Sequence, residues 1–254
     1  FTIKIMRSNF SQKYKSELYH FIDQALKEDI GSGDHSGKSC ITETAKSSAK
    51  LLVKEEGVLA GMELAKVIFH QYDPNLTFHP LIEEGAYVTK GAVPFEVEGN
   101  TQSILATERL ILNCLQRMSG IATLTNKLSQ KIKHTSCRLL DTRKTTPNFR
   151  YPEKWAVQIG GGTNHRMGLF DALMIKDNHV DFCGGMTQAL QKTEQYLNSL
   201  PKQLEVVVEA RNLDEIKAIL IFPWVSRILL DNFTSEELVT GVELIDKKLP
   251  TEAS

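Results

Sequence analysis

The sequence has few cysteines, no long hydrophobic run and almost no net charge. Its four cysteines, Cys40, Cys114, Cys137 and Cys183, show no paired metal-ligand spacing, so we expect reduced thiols and no zinc site. The chain lacks an apolar run of membrane-spanning length, and its first residues lack the pattern of a secretion signal, which predicts a cytoplasmic protein with no membrane partner. A formal net charge of -1 predicts no nucleic-acid partner, because it gives no general attraction to polyanions.

The composition is that of an ordinary globular protein. With 254 residues, 41% of them hydrophobic and 24% charged, the chain can form two domains or one barrel. A helical period over residues 14–26 predicts a helix that Gly31 ends, followed by a strand at 50–54 and a helix at 61–70. Glycine-punctuated short strands are expected at 85–99. The first third is therefore predicted to mix helix and sheet.

A long helical stretch follows over residues 104–131, with an expected break at Ser119-Gly120. We place the domain boundary there, between an N-terminal α/β domain at 1–120 and a C-terminal domain at 121–254. Beyond it, strand candidates alternate with helices at 186–198 and 213–221, which predicts a parallel α/β arrangement. The strand candidates are residues 137–140, 172–175, 204–208 and 227–230. A complete barrel takes about 250 residues, so we expect an open, incomplete one.

Charged residues come at the end of each of these four strand candidates. They are Asp141 with Arg143 and Lys144, then Lys176, Glu209 and Asp231. A single charge at a strand end is usually a cap or a surface residue. Four at equivalent positions favour a shared site, because the carboxyl ends of barrel strands form one mouth.

The densest cluster of cations is in residues 141–150. Arg143 and Arg150 can grip a carboxylate or phosphate with two parallel hydrogen bonds, whereas Lys144 acts as a compact point charge. An isolated Arg-Lys pair would more often be a solvated basic loop. The rest of the strand-end pattern favours a polyanion site.

A second basic cluster begins with three glycines and ends at His165-Arg166. The glycines allow backbone N–H groups to approach an anion, although such a run is more often only a turn. A lone histidine is likewise more often structural, but this one lies between two basic clusters. With Lys176 added, the cations would repel one another unless a polyanion bound. Glu209 and Asp231 could hold Mg²⁺ or ribose hydroxyls, so the predicted site has a basic and an acidic half.

Several ordered motifs together resemble one family, the quinolinate phosphoribosyltransferases, also called carboxylating nicotinate-nucleotide pyrophosphorylases. The resemblance runs over nearly the whole chain. The motifs are Glu28-Asp-Ile-Gly-Ser-Gly-Asp34, Gly57-Val-Leu-Ala-Gly61, Thr107-Glu-Arg109, Ser119-Gly-Ile-Ala-Thr123, Asp141 to Arg150, Gly160 to Arg166, Ile175-Lys-Asp-Asn-His179, Glu209 and Leu230-Asp-Asn232.

The resemblance implies an N-terminal α/β sandwich domain, an open TIM-like α/β barrel, and a homodimer whose sites are completed across the interface. It also implies a transferase of pyridine nucleotide and NAD biosynthesis. Such an enzyme converts quinolinate and phosphoribosyl pyrophosphate, with Mg²⁺, into nicotinate mononucleotide, pyrophosphate and carbon dioxide.

The resemblance also assigns roles to single residues. Arg143, His165, Arg166 and Lys176 are implied to bind quinolinate, together with Arg109 from the partner subunit.

Lys144, Glu209 and Asp231 are implied to be the catalytic residues on the phosphoribosyl pyrophosphate side. Glu209 and Asp231 would be the metal ligands there. Thr142 and Ser254 are implied to contact substrate.

The chain stops at residues 251–254, where family members continue with a Gly-Gly pair and further barrel elements. If the chain ends there, we expect weak or absent activity with the basic pocket still formed. Three alternatives stay open. They are a relative associated with molybdenum transport that uses another acceptor, a Schiff-base lyase using Lys144 or Lys176, and a non-catalytic binding module.

Overall fold

The structure is a computed structural model in which residues 10–254 are described. The expected absence of a secretion signal concerns the start of the chain, and residues 1–9 lie outside the described part. Within residues 10–254, no helix is both long enough and apolar enough to cross a membrane. The chain divides between His165 and Arg166 into two compact units.

The first unit combines helices with two antiparallel sheets, which confirms the mixed prediction for this part of the chain. Its helices are α1 (Phe10–Lys13), α2 (Lys15–Ile30), α3 (His35–Cys40), α4 (Met62–Tyr72), α5 (Thr101–Ile132) and α6 (Arg150–Ile159). Its strands are β1 (Lys46–Lys50), β2 (Gly57–Val58), β3 (Thr77–Pro80), β4 (Tyr87–Val88) and β5 (Phe95–Asn100). One sheet has the order β1-β5-β3, and the other pairs β2 with β4.

Three phenylalanines join helix α4 to the three-stranded sheet. The ring centroids of Phe78 and Phe95 lie 4.7 Å apart, and each is 6.1 Å from the ring of Phe69 in α4. Aromatic pairs at this spacing add stabilisation beyond the area that they bury. The start of α5 is fixed by Asn100, whose side chain accepts a hydrogen bond from the Ser103 N–H at 3.1 Å.

Helix α5 runs without interruption, so the predicted break at Ser119-Gly120 is wrong. Ser119 Oγ accepts from the Ala60 N–H at 3.0 Å and donates to the Ala60 carbonyl at 3.1 Å. One turn later, Thr123 Oγ1 accepts from the Val58 N–H at 2.9 Å. A glycine inside a helix costs only about 1 kcal/mol, and these tertiary contacts outweigh it.

The first predicted strand is displaced along the sequence. We expected residues 50–54, whereas β1 occupies Lys46–Lys50. It pairs antiparallel with β5, with Lys46 opposite Asn100 and Lys50 opposite Glu96. The apolar run that follows β1 still bonds to the sheet, since the Leu51 N–H donates to the Phe95 carbonyl at 3.1 Å. The position of this strand was set by its register with β5, a distant segment, and the local sequence carries no information about that register.

The predicted strand at 137–140 is wrong. The structure contains only a single parallel bridge there, between Leu140 and Thr163. The Thr163 N–H donates to the Leu139 carbonyl at 2.8 Å, and the Asp141 N–H donates to the Thr163 carbonyl at 3.1 Å. One bridging residue cannot form a strand, but it fixes the segment before Asp141 against the segment before His165.

The second unit is a parallel α/β layer, as the alternation of strands and helices predicted. Its strands are β6 (Ala172–Ile175), β7 (Glu205–Ala210), β8 (Arg227–Leu230) and β9 (Thr251–Ala253), in the order β6-β7-β8-β9. Its helices are α7 (Asp177–Cys183), α8 (Met186–Ser199), α9 (Leu213–Ile219) and α10 (Ser235–Ile245). The predicted α/β class is confirmed, and the barrel itself stays a prediction.

The core of the second unit lies around strands β7 and β8. Val206 and Val208 in β7 and Ile228 in β8 are fully buried, and buried residues of α8, α9 and α10 belong to the same core. Burial on both faces is typical of central parallel strands. We expected Glu209 to follow its strand, but it lies inside β7, because parallel pairing with β8 continues through Ala210.

The three glycines after α6 serve packing rather than anion binding. The N–H groups of Gly160, Gly161 and Gly162 donate to carbonyls of α6 at 2.9, 3.0 and 2.9 Å. A Cβ atom on Gly160 would lie 2.4 Å from the Ala122 carbonyl oxygen, and one on Gly162 would lie 2.7 Å from Val157 Cγ1. The run is therefore the turn that such a sequence more often forms, and its N–H groups are not directed at an anion.

Replacing Gly160 with alanine is expected to destabilise the protein by about 1–3 kcal/mol, because the added methyl group must displace the backbone of α5. Gly160 has an ordinary φ of -72°, so the expected loss comes from the close contact. Gly120→Ala is the matched control, since Gly120 has nothing within 4 Å of an added Cβ and lies in a helix. We expect it to stabilise by about 0.5–1 kcal/mol. Urea unfolding curves would measure both, and equal effects would contradict the packing role.

Candidate active site

Four polar residues lie at the carboxyl ends of adjacent strands in the second unit. Lys176 follows β6, Asp231 follows β8, Ser254 follows β9, and Glu209 is the penultimate residue of β7. Because these strands are parallel neighbours, the four residues form a row along one edge of the sheet. We call it the strand-end row. Ligands of α/β proteins bind at this edge.

Glu209 is the most buried member of the strand-end row, with only 6% of its side chain exposed. Its Oε2 lies 3.6 Å from Lys176 Nζ, and it accepts a hydrogen bond from the Asp177 N–H. Burial, followed by the negative charge of Asp231, raises the pKa of Glu209, although Lys176 and the Asp177 N–H oppose the change. A buried carboxylate beside another carboxylate would be stabilised by a bound cation.

Asp231 is oriented by its neighbours. Its Oδ1 accepts from Ser254 Oγ at 2.7 Å, and its Oδ2 accepts from Asn232 Nδ2 at 2.8 Å. The Asn232 N–H in turn donates to the Ser254 carbonyl at 3.1 Å. Asn232 has φ +56°, a conformation that asparagine tolerates better than most residues. The turn after β8 therefore holds the Asp231 carboxylate in one orientation.

Glu209 and Asp231 provide the hard oxygen ligands that suit Mg²⁺. Within residues 10–254, no group of three or more His, Cys, Asp or Glu residues is arranged to hold a metal ion. Mg²⁺ commonly uses one or two carboxylates and completes its coordination with water and substrate phosphates. The residues therefore fit an ion that binds together with a phosphorylated substrate.

In the first unit, the loop after Asp141 carries the cations that the sequence singled out. Arg143 is half-buried, and its Nε is buried with no hydrogen-bond partner in the described part of the chain. Lys144 is exposed, and its N–H donates to Thr142 Oγ1 at 3.0 Å. A buried donor without a partner costs free energy, which a bound carboxylate would recover.

Arg150 braces this loop. Its Nε donates to Thr145 Oγ1 at 3.0 Å, and its Nη2 donates to the Arg143 carbonyl at 3.4 Å. We interpreted Arg150 from the sequence as a second anion-gripping arginine. In the structure, these two donors instead bond to the Thr145 hydroxyl and the Arg143 carbonyl, and so fix the loop from which the Arg143 side chain extends.

Asp141 also has a role that the sequence did not predict. We placed it among the charges able to act on a ligand, but its side chain is only 7% exposed and is occupied by internal partners. It receives hydrogen bonds from Lys154 Nζ at 2.5 Å, Asn164 Nδ2 at 2.6 Å and the His165 N–H at 2.8 Å. His165 is thereby attached to the segment that precedes Arg143.

Sequence reasoning missed Lys154, whose side chain is fully buried. Its neighbours Trp155 and Ala156 signal a buried segment, but a lysine in a helix of ten residues is ordinarily placed at the surface. The one sequence signal for this ion pair is that Lys154 lies 13 residues after Asp141. A lysine and an aspartate at such a spacing are too common to indicate a buried pair.

The remaining two predicted residues lie in different settings. Arg166 Nη1 donates to the Ala172 carbonyl at 3.2 Å, at the start of β6, whereas Lys176 follows the end of that strand. Arg109 is exposed on α5, and no ion pair involving it occurs among residues 10–254. The structure thus groups Thr142, Arg143, Lys144 and His165 in one unit and the strand-end row in the other.

The fold and these residues define a class: an α/β protein that carries cations and paired carboxylates for a multiply charged anionic ligand. Residues 34–119 match the family model "Quinolinate phosphoribosyl transferase, N-terminal domain", and residues 121–254 match the corresponding C-terminal domain. The chain belongs to the quinolinate phosphoribosyltransferase family, as the motifs indicated.

Individual relatives agree with this assignment. The chain is 41% identical over 253 residues to "Quinolinate phosphoribosyltransferase [decarboxylating] 2b, mitochondrial" of Nicotiana tabacum, covering 94% of this chain and 72% of the relative. It is 42% identical, with the same coverage, to the chloroplastic "Nicotinate-nucleotide pyrophosphorylase [carboxylating]" of Arabidopsis thaliana. Among solved structures, NadC from Streptococcus pyogenes matches with a TM-score of 0.85 and 34% identity, over 96% of this chain and 84% of that one.

Proposed function

We propose that this chain is a carboxylating nicotinate-nucleotide pyrophosphorylase. It transfers the phosphoribosyl group of phosphoribosyl pyrophosphate to quinolinate and releases pyrophosphate and carbon dioxide, giving nicotinate mononucleotide for NAD biosynthesis. The observation that carries the proposal is the strand-end row in a chain of this family. Its buried Glu209 and oriented Asp231 suit a sugar that becomes positively charged.

Quinolinate has two adjacent carboxylates on a pyridine ring, so its site needs several cations. The Nε of Arg143 is buried and has no hydrogen-bond partner among residues 10–254, which supports a carboxylate contact there. We assign His165, Arg166 and Lys176 to the same substrate, with Arg109 supplied by the partner subunit and Thr142 as a polar contact. The planar arginine forks match carboxylates bidentately.

Phosphoribosyl pyrophosphate is assigned to Lys144, Glu209, Asp231 and Ser254. Glu209 and Asp231 would hold Mg²⁺, which supplies charge neutralisation for the pyrophosphate oxygens when it is bound. The Lys144 ammonium is a mobile point charge on an exposed side chain, and it suits the departing pyrophosphate. Ser254 contributes by orienting Asp231.

The chain's own residues position and neutralise the reactants. The pyridine nitrogen forms a bond to the sugar carbon as the bond to pyrophosphate breaks, and the carboxylate of Glu209 or Asp231 stabilises the transient positive charge. In the adduct, the ring nitrogen is positive. The carboxylate next to it then leaves as carbon dioxide, its bonding electrons stay on the ring carbon, and a proton from water replaces it. No nucleophilic side chain is needed.

The direct test is the formation of nicotinate mononucleotide from quinolinate, phosphoribosyl pyrophosphate and Mg²⁺. Pyridine acids that lack the second carboxylate should react far less well, and activity with another acceptor instead would favour the molybdenum-associated relative.

A Schiff-base lyase needs a neutral lysine, whereas Lys176 is paired with the buried Glu209 carboxylate. We expect borohydride with a carbonyl substrate to label neither Lys144 nor Lys176, and a labelled lysine would favour the lyase.

We further propose a homodimer in which α5 lies at the interface. Leu105, Leu124 and Leu128 on this helix are 43%, 58% and 38% exposed, and Arg109 lies on the same helix one turn after Leu105. Large apolar side chains along an exposed helix support an interface between copies. Arg109 would then reach the partner's quinolinate site.

Mixing two inactive variants tests the shared site. Arg109→Ala and Arg143→Ala dimers should each be nearly inactive, but a mixed dimer contains one site with both arginines intact. After subunit exchange at equal amounts, activity should recover to about one quarter of wild type, because half of the dimers are mixed. If Arg109 serves its own subunit, every site in the mixture lacks one arginine and no activity returns.

We also propose a cytoplasmic location, supported by four cysteines that are all free. The tobacco and Arabidopsis relatives carry organelle names, so the proposal concerns this chain alone. Cell fractionation measures it directly, and recovery of the protein with organelles would overturn it.

A further inference from the structure

The proposed reaction leaves one buried ion pair without a role. Lys154 is fully buried in α6, and its Nζ lies 2.5 Å from Asp141 Oδ1, while the Asp141 side chain is 7% exposed. Burying two charges carries a desolvation cost that a well-packed apolar pair avoids, so such a pair is weak evidence for a stabilising role. Its position suggests another purpose.

Both members of the pair form a hydrogen bond with the backbone of His165. The Asp141 carboxylate accepts the His165 N–H at 2.8 Å, and Lys154 Nζ donates to the His165 carbonyl at 3.4 Å. Asn164 closes the network, because its Nδ2 donates to Asp141 Oδ2 at 2.6 Å and to the Lys154 carbonyl at 2.7 Å.

The same carboxylate also fixes the loop that carries Arg143. The Asp141 N–H donates to the Thr163 carbonyl at 3.1 Å, so the two segments are joined through the backbone as well as the side chain. Arg143 follows Asp141 by two residues, and His165 follows Thr163 by two. Two separate segments of the proposed quinolinate site therefore start from one buried charge pair.

We propose that Asp141, Lys154 and Asn164 form a positioning network that sets the separation of Arg143 and His165 for quinolinate. The inference rests on the proposed function. It predicts a selective effect: loss of the network should weaken quinolinate binding and spare phosphoribosyl pyrophosphate. The reason is that three of the four residues assigned to phosphoribosyl pyrophosphate, Glu209, Asp231 and Ser254, are held by other contacts. The fourth, Lys144, is an exposed point charge whose flexible side chain can follow a small shift of the loop.

The main variant is the double substitution Asp141→Asn with Lys154→Met, which removes both charges at nearly constant volume and leaves no uncompensated buried ion. Calorimetry would measure the Kd for quinolinate and, separately, for phosphoribosyl pyrophosphate with Mg²⁺. We expect the quinolinate Kd to rise about 10- to 100-fold, since small misplacements in a site cost that much. The Kd for phosphoribosyl pyrophosphate should stay within about twofold.

The matched control is Asp214→Asn with Lys217→Met, which removes an exposed Lys–Asp pair whose nitrogen and oxygen lie 2.9 Å apart. It should leave both dissociation constants unchanged. If the buried pair only stabilises the fold, its loss should lower the fraction of protein able to bind and leave the Kd of the folded fraction unchanged. The binding stoichiometry from calorimetry separates this result from a change in Kd.

Asn164→Ala is the second variant, because it deletes two hydrogen bonds without touching either charge. It should raise the quinolinate Kd about threefold to tenfold, in proportion to the lost bonds. A folded double variant, or a folded Asn164→Ala protein, with the wild-type quinolinate Kd would overturn the proposal. Absence of quinolinate binding by the wild type would instead refute the proposed function, so the two failures are separable.

Discussion

Replacing Arg143 with alanine is expected to lower kcat/KM for quinolinate by about 100-fold or more, because it removes a desolvated cation from a carboxylate partner. The Arg143 Nε is buried and has no hydrogen-bond partner among residues 10–254, which leaves it available for the proposed carboxylate contact. The measurement is the rate of nicotinate mononucleotide formation at varied quinolinate.

Arg138→Ala is the matched control, since Arg138 is exposed and lies only five residues earlier. It should change kcat/KM by no more than about twofold. Arg143→Lys should recover only part of the loss, because an ammonium cannot form the two parallel hydrogen bonds of a guanidinium. Equal losses in the Arg138 and Arg143 variants would show that the loss reflects general positive charge and not a specific contact.

The second large effect is expected at Glu209. Glu209→Gln keeps the shape of the side chain but removes its negative charge, and we expect kcat to fall about 100-fold or more. Glu205→Gln is the matched control, because Glu205 is at the exposed start of the same strand. It should retain wild-type turnover, and a similar fall in both variants would contradict a role specific to Glu209.

The electrostatics of Glu209 can be checked without catalysis. Burial and the Asp231 charge raise its pKa above the ordinary value of 4.5, while Lys176 lowers it. In Mg²⁺-free protein, the ¹³C-NMR titration midpoint of Glu209 should therefore lie above 4.5. Asp231→Asn should lower the midpoint and Lys176→Met should raise it, since one removes a repelling and the other an attracting charge. Shifts in the reverse directions would contradict the described contacts.

Local sequence predicted three of the four strands of the second unit, β6, β7 and β8, and missed β9 at Thr251–Ala253. Both β6 at Ala172–Ile175 and β8 at Arg227–Leu230 have the predicted bounds, because each is a short apolar run ended by a charged residue. The failures came where pairing decided the outcome. The position of β1 follows from its partner β5, and residues 137–140 found only one bridging partner.

In the candidate site, charged residues that looked alike in the sequence have different partners in the structure. The sequence identified Arg143 and Arg150 alike as anion-binding arginines, yet two donors of Arg150 bond to the Thr145 hydroxyl and the Arg143 carbonyl within the loop. Asp141 and Asp231 likewise each follow an apolar run. The Asp141 carboxylate is paired with the fully buried Lys154, whereas Asp231 belongs to the strand-end row.

The sequence by itself determined the family, the α/β class and the residue types from which the site is drawn, because motifs and apolar periods are local properties of the chain. Only the tertiary structure decided which charges are bonded to other parts of the protein and which lie in the strand-end row. The physical reason is that the role of a charge depends on its burial and its partners. Those are set by contacts between segments far apart in sequence, such as Asp141 with Lys154 and Gly160 with Ala122.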